Sequence, residues 1–302
     1  MNETVTFSII VVCLNAGKRL EETIESILKQ NFNSYEIIIK DGGSTDGSIE
    51  ALRDYLSKDV VQENHQIVFG EKNIEAFAQE EFLTGRIRVF QQEDKGIYDA
   101  MNQAISYATG DYLLFLNTGD SLYEETTLEK ITDGINEKKE QNGKRPDIVY
   151  GNLYHKALQS VIFAAPQIND FTCYRNVPCH QTCFYHRSMF AERGYEPRYN
   201  VRADYEHFLW CYYEKKADIQ YLPVLTASYE GGGYSETKEN KKRSARQHRE
   251  IVVYYMGKRK ANKYRMIMLL TLAPLRSKLA ENETFSKFYN MIKRVIYLLK
   301  NK

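Results

Sequence analysis

Four clusters of small polar and acidic residues carry the chemistry that this sequence can offer: Asn15; Asp41 with Ser44 and Asp46; Glu93-Asp94-Lys95-Gly96; and Asn117-Thr118-Gly119-Asp120. Each follows a short, largely apolar run. Any one of them has a bland explanation, because Asp, Asn and Gly build turns and cap helices. Four in succession are harder to dismiss. In an open parallel sheet, ligands bind outside the carboxyl ends of the strands, and here each strand end in turn delivers hydrogen-bonding or anionic groups.

The elements that must position these groups alternate. Phe7–Cys13 is a continuous apolar run, as a strand buried on both faces should be. Leu20, Ile24, Ile27 and Leu28 then fall on one stripe of a helix. Residues 35–40 form a second buried strand, and Ile49, Leu52 and Leu56 the inner face of a second helix. Residues 86–90, 97–108 and 111–116 continue as strand, helix and strand. Right-handed crossovers wind such a series into an α/β fold with a mainly parallel sheet flanked by helices. Residues 59–84 are polar, fit the alternation poorly, and are expected to form a surface insertion. Strands are expected at 147–154, 160–163, 181–186 and 219–225, with a helix near 204–214. From Lys238 onward the pattern is helical and basic. The expected organisation is one domain over 1–237, with halves 1–122 and 123–237, followed by a region 238–302.

Composition bounds the function. Of 302 residues 43% are hydrophobic and 27% charged, with mean hydropathy −0.53, as in a globular protein. The opening residues carry no basic n-region, so no secretory signal is expected. The longest apolar stretch, 266–275, is about half of the ~20 residues that span a bilayer. Five irregularly spaced cysteines suggest a reducing compartment, hence cytoplasmic residence. Cys173, Cys179, His180, Cys183 and His186 lack the paired spacing of a zinc site. The net charge of +1 conceals an asymmetry: residues 238–302 hold 18 Lys/Arg against 4 Asp/Glu, a net +14, which leaves residues 1–237 at −13. Such basic tails usually meet phosphates.

The runs S-I-I-V-V-C-L-N, D-G-G-S-T-D-G-S, D-K-G-I-Y-D-A-M-N-Q-A-I and G-D-Y-L-L-F-L-N-T-G-D resemble family 2 glycosyltransferases of the GT-A fold. They are most similar to the bacterial branch that assembles exopolysaccharide, colanic-acid-like and O-antigen repeat units. The resemblance is close over residues ~6–122 and looser to about 235. It implies an inverting enzyme that moves a sugar from a nucleotide donor, UDP foremost, to a lipid-linked or saccharide acceptor. It implies that Asp41 accepts a hydrogen bond from the base, with Asn15, Ser44 and Asp46 shaping that pocket. Asp94 and Lys95 would border the nucleotide, Asp99 and Asn102 the donor side, and Asp120 would coordinate Mg²⁺ or Mn²⁺. A hard divalent cation suits the charge of a departing diphosphate. Asn117 and Gly119 stand where many relatives carry aspartates, so metal affinity without substrate should be weak, with Asn117 facing metal or ribose.

An inverting transfer needs one carboxylate to remove the acceptor proton. Asp204, in the run Arg202 to Trp210, matches the acidic motif expected on the acceptor side. It is the expected base, against the bland reading of a helix cap, and Glu206 is the fallback. His180, beside Gln181, could meet donor hydroxyls or phosphate, or be structural. The glycines 231–233 read as a lid over the donor or as a hinge to the tail. Within the tail, Lys241, Lys242, Arg243, Arg246, Arg249 and 258–260 form a basic belt. Phe288, Met291, Ile292, Val295, Ile296 and Leu299 form an amphipathic stripe suited to the surface of an anionic membrane, the globule or a second subunit. Nucleic acid is not expected as a partner, because no recognition motif accompanies the charge. A non-catalytic sugar-nucleotide-binding protein is the alternative. A dinucleotide-binding dehydrogenase is excluded by the lack of Gly-x-Gly-x-x-Gly after the first strand.

Overall fold

The computed structural model describes residues 4–58, 65–71, 85–233 and 237–271. Its centre is a ten-stranded sheet in the order β3-β4-β2-β1-β5-β9-β7-β10-β6, with β8 paired to β7. The strands are β1 (Phe7–Cys13), β2 (Tyr35–Asp41), β3 (Gln66–Glu71), β4 (Arg86–Gln91), β5 (Tyr112–Phe115), β6 (Ser121–Leu122), β7 (Ile148–His155), β8 (Ser160–Ile162), β9 (Cys183–His186) and β10 (Ile219–Tyr229). From β3 to β5 all neighbours are parallel. β9 then runs antiparallel between β5 and β7, and β10 lies parallel to β7.

The helices are α1 (Lys18–Leu28), α2 (Ser48–Leu56), α3 (Ile97–Ile105), α4 (Thr127–Asn142), α5 (Asp170–Arg175), α6 (Ala203–Tyr213) and α7 (Lys238–Leu270). They cover both faces of the sheet, and β1 shows why its sequence is apolar at every position but Ser8, whose buried hydroxyl donates to Glu36. Phe7, Ile9 and Val11 pack toward Leu20, Ile24, Ile27, Leu52 and Ile131 of α1, α2 and α4. Ile10 and Val12 pack toward Tyr98, Met101, Phe208 and Ile251 of α3, α6 and α7. Two-sided burial needs apolar side chains at odd and even positions alike. Each fully buried Ile or Leu contributes about 1.5–3 kcal/mol.

Three sequence expectations change. Gln66–Glu71, expected within a polar insertion, is the parallel edge strand of the sheet, in register from Gln66 against Arg86. Ile67 and Phe69 lean on the core, and the Arg53 guanidinium lies 4.0 Å from the Phe69 ring centre. An edge strand with one pairing side needs only such a short apolar core, so the flanking polar residues hid it. The strand expected at 181–186 begins only at Cys183, and His180–Thr182 is a 3₁₀ turn. The basic region does not begin as a free tail, since α7 buries Gln247, Ile251, Val252, Met256 and Ala261. Its axis breaks at Gly257 (φ 75°, ψ 154°). The amphipathic stripe 288–299 lies outside the described residues. Among the described residues, no helix is long and apolar enough to cross a membrane.

Candidate active site

β1, β2, β4 and β5 end at one edge, and their following loops carry the polar clusters. Asp41 closes β2 and is 0% exposed. Its Oδ2 accepts from Gly43 N at 3.0 Å, Ser44 N at 2.8 Å and Gln91 Nε2 at 2.8 Å, while Oδ1 accepts from the Ser44 hydroxyl. This carboxylate builds its own loop, and a direct bond to a base would require one of these donors to yield. Ser44 Oγ in turn accepts from Asn15 N at 2.7 Å, and Asn15, at φ 49°, takes Thr45 N on Oδ1 at 2.9 Å. Asp46 accepts from the Ser48 hydroxyl at 2.6 Å, from Ser48 N and from Gly17 N, both at 3.0 Å. Those bonds, the Ser48 hydroxyl foremost, lower its pKa. Asp46 therefore ties the starts of α1 and α2 together.

Asp94 pairs with Lys40, a fully buried cation, and accepts from Gly96 N at 3.0 Å. A Cβ at position 42 would sit 2.7 Å from Asp94 Oδ2, so the glycine allows the β2 and β4 loops to meet. Lys95 is exposed, and its N–H goes to Asp99 Oδ2 at 2.8 Å, closing the first turn of α3. The Asn102 amide donates to Tyr195 O at 2.8 Å and accepts from Tyr195 N at 2.7 Å. Both ends of the side chain bond to that backbone, so Asn102 staples α3 to the segment before α6.

The second set of groups comes from distant parts of the chain. Asp120 is 3% exposed; Oδ2 accepts from Gln181 Nε2 at 2.8 Å and Oδ1 from Glu230 N at 3.0 Å. Burial raises its pKa against the pull of these bonds. His180 Nδ1 lies 3.1 Å from Asp204 Oδ2, and Nε2 lies 3.0 Å from Asn117 Nδ2. With both ring nitrogens engaged, His180 lies in a side-chain network, the structural one of its two expected places. Asp204, in the first turn of α6, also accepts from Tyr98 OH at 2.7 Å. Burial opposes its ionisation, but His180 and then Tyr98 outweigh it and hold the pKa down to about 2. Glu206 is excluded as the fallback base: it is 4% exposed, takes Arg193 on both oxygens at 3.0 and 2.9 Å, and accepts from Tyr255 OH.

Tyr98, Gln181, Glu230 and Lys40 were missed as site residues by reading the sequence. Lys40 alone had a clear signal, a lysine closing an apolar strand. Among the described residues, no three His, Cys, Asp or Glu side chains converge as a metal cage. What is present fits a partial site: the strand-end acid Asp120, and the half-exposed carboxylate of Glu230 lying over Gly119. Mg²⁺ commonly takes one or two carboxylates and completes its shell with water and substrate phosphates.

With this arrangement in view, the pattern of glycosyl transferase family 2 matches residues 8–69 and 70–194. The chain belongs to that family. It is a glycosyltransferase with the GT-A fold. It is 32% identical over 233 residues to a PGL/p-HBAD biosynthesis glycosyltransferase of Mycobacterium bovis, covering 76% of this chain and 79% of that protein. Its fold is similar to that of S. aureus TarS 1–349 in complex with UDP (TM-score 0.59, 18% identity, covering 85% of this chain and 68% of that one). It is also similar to the mannosyltransferase PcManGT from Pyrobaculum calidifontis in complex with GDP-Man and Mn²⁺ (TM-score 0.58, 14% identity, covering 100% and 89%). The family match ends at residue 194, so the glycosyltransferase carries Asp204 and α7 beyond the matched span.

Proposed function

We propose that the enzyme transfers a sugar, with inversion, from a nucleotide donor to a saccharide acceptor carried on lipid, in the assembly of surface polysaccharide. The reading is carried by Asp204, an ionised carboxylate aimed by a tyrosine hydroxyl and an imidazole beside the strand-end loops. In the proposed step the acceptor O–H proton passes to Asp204. The acceptor oxygen bonds to the anomeric carbon, and the bond from that carbon to the diphosphate breaks on the opposite side, its electrons leaving with the diphosphate. A weak base suits this order of events, because the acceptor hydroxyl acidifies only as its oxygen attacks an electron-poor, oxocarbenium-like carbon.

On the donor side, the loops built by Asn15, Asp41, Ser44 and Asp46 would frame the base, with UDP the favoured nucleotide. Asp94 and Lys95 would flank the nucleotide, and Asp99 would fix the first turn of α3. Mg²⁺ or Mn²⁺ would arrive with the diphosphate, meet Asp120, and stabilise the charge that develops on the leaving group. The UDP and GDP-Man complexes of the similar structures support a nucleotide-sugar donor. Contact with an anionic membrane surface is supported by α7, whose basic residues are joined by Tyr254, Met266, Leu269 and Leu270, exposed by 50–78%. A cytoplasmic enzyme on the inner membrane face is the location this reading implies.

The deciding variant is Asp204→Asn. Transfer should fall by about 10²–10⁴-fold with UDP affinity unchanged by calorimetry. A rate within a few-fold of wild type would remove Asp204 from the mechanism.

A further inference from the structure

Cys179-His180-Gln181-Thr182 occupies a single tight turn, yet its two central side chains reach two different acids. His180 goes to Asp204 on α6, and Gln181 goes to Asp120 after β5. Successive residues of a 3₁₀ turn project about 120° apart, so neighbours in sequence diverge in space. The turn is fixed from within. Thr182 Oγ1 donates to Cys179 O at 2.8 Å, Thr182 N donates to the same carbonyl at 2.9 Å, and Cys179 Sγ donates to Gln181 Oε1 at 2.5 Å. Gln181 is 2% exposed and uses both ends of its amide. β9 follows directly and is paired on both sides, so the turn rests on the middle of the sheet.

Resting on the reading of Asp204 as the base, we infer that His180 is a positioning residue, whose Nδ1–H holds the Asp204 carboxylate in register with the donor-side strand through Asn117. The geometry selects the tautomer. A carboxylate 3.1 Å from Nδ1 requires a proton on that nitrogen, since two lone pairs facing each other would repel. Nε2 then accepts from Asn117 Nδ2 at 3.0 Å. In a Ser-His-Asp triad the carboxylate orients the imidazole; here the imidazole orients the carboxylate. Oδ1 is held by Tyr98 and Oδ2 by His180, which fixes the rotation of the group; the Tyr205 N–H adds a third bond, and the carboxylate's remaining lone-pair capacity is open to an acceptor hydroxyl. Cys179, Cys183, Tyr185 and Tyr195 also feel the Asp204 charge, but burial above all pushes each of them upward and keeps them neutral. His180 supplies the largest pull against burial at Asp204, ahead of Tyr98.

The test uses the full chain and three substitutions at one position. The amide nitrogen of Asn lies close to where His Nδ1 sits, and that of Gln close to Nε2. His180→Asn should keep donor hydrolysis within about tenfold of wild type, while His180→Gln and His180→Ala should lose about 10–100-fold, part of what a well-aimed base supplies. UDP-N-acetylglucosamine and GDP-mannose serve as donors, with water as acceptor. UDP affinity should be unchanged in all three, and the acid limb of kcat in His180→Ala should move upward by a unit or more. In ¹⁵N-histidine spectra of the wild type, independent of any donor, His180 should carry a proton on Nδ1. Equal losses in the Asn and Gln variants, a parallel loss of UDP affinity, or a bare Nδ1 would overturn the inference. Activity in Asp204→Asn would instead overturn the base assignment, and this role of His180 with it.

Discussion

Around the strand-end loops, Asp41, Asp46, Asp94 and Asp99 each accept from N–H groups two to four residues away. The first three also take one partner from an adjoining strand or loop, Gln91, Gly17 and Lys40 respectively. Asp204, on α6, is held by side chains 24 and 106 residues away, and Asp120, in the loop after β5, by groups 61 and 110 residues away. Backbone donors in a short loop pre-form once the turn forms, because the same few residues supply donor and acceptor. Side-chain donors from remote elements exist only after the sheet and α6 have packed. The strand-end loops should therefore answer chiefly to one another, whereas Asp204 should register changes far from it.

The largest effect that separates these two modes is expected from Asp41→Ala. It strands the N–H groups of Gly43 and Ser44 and the Gln91 amide around a site that is 0% exposed. An orphaned donor costs about 1–3 kcal/mol when buried, and water recovers part of that here because Gly43 and Gln91 are exposed. A loss of about 3 kcal/mol in urea denaturation is expected, with UDP binding weakened by tenfold or more, while the His180 imidazole signal stays in place. Movement of that signal along with the loss would show that the strand-end loops are coupled to Asp204.

The same contrast explains what could be read in advance. The β-α-β alternation of residues 4–122 repeats a local signal: an apolar strand, a polar cluster, an amphipathic stripe. Asp41, Asp46 and Asp94 could be found because turn chemistry is written in neighbouring residues. Tyr98 and Gln181 could not, since nothing local distinguishes a tyrosine facing a carboxylate from one in the core. The same holds for Asn102: an exposed-looking amide on α3 bonds to Tyr195, 93 residues on. The β3 strand was hidden by its polar surroundings, and α4 by a run of charged residues on its outer face, although Leu128, Ile131 and Ile135 mark its inner one.

A smaller effect tests the surroundings of Asp204 through pH. His207, three residues beyond Asp204, is 0% exposed, stacked on Phe190 at 4.4 Å, and surrounded by Tyr185, Tyr195 and Trp210. Burial, and then the Arg193 charge, hold its pKa at about 3, from an ordinary 6.5. The folded state keeps this ring neutral while the unfolded chain protonates it. Its contribution to stability is thus complete above pH 6.5 and is lost progressively as pH falls toward 3. Between pH 7 and 5 the loss amounts to about 2 kcal/mol. Asp204 has the same sign and a lower window: its depressed pKa contributes stability that disappears only from about pH 4 down to 2. Urea midpoints at pH 7 and 5 should therefore converge in His207→Phe, apart from a residual slope from His186 and His248, whose pKa values burial also lowers. An unchanged slope in the variant would place the acid sensitivity outside this aromatic box.

The smallest effect concerns an exposed ion pair joining α1 to the loop after β10, Arg19 Nη1 to Glu230 Oε2 at 3.6 Å, with the two side chains 56% and 44% exposed. Such a pair is screened by water and salt and is worth about 0–1 kcal/mol. The anchoring contact at this point is instead the Glu230 N–H to Asp120 Oδ1 bond, which lies under the side chains and survives removal of the arginine. Gly119, at φ 93°, leaves the room that the Glu230 carboxylate occupies, so that side chain stays seated without its cation. Arg19→Ala should shift the urea midpoint by less than about 1 kcal/mol equivalent and leave UDP affinity within a few-fold. A larger loss that disappears at high salt would show that these segments are coupled through surface charge, and that the buried hydrogen bond to Asp120 does not by itself hold them in register.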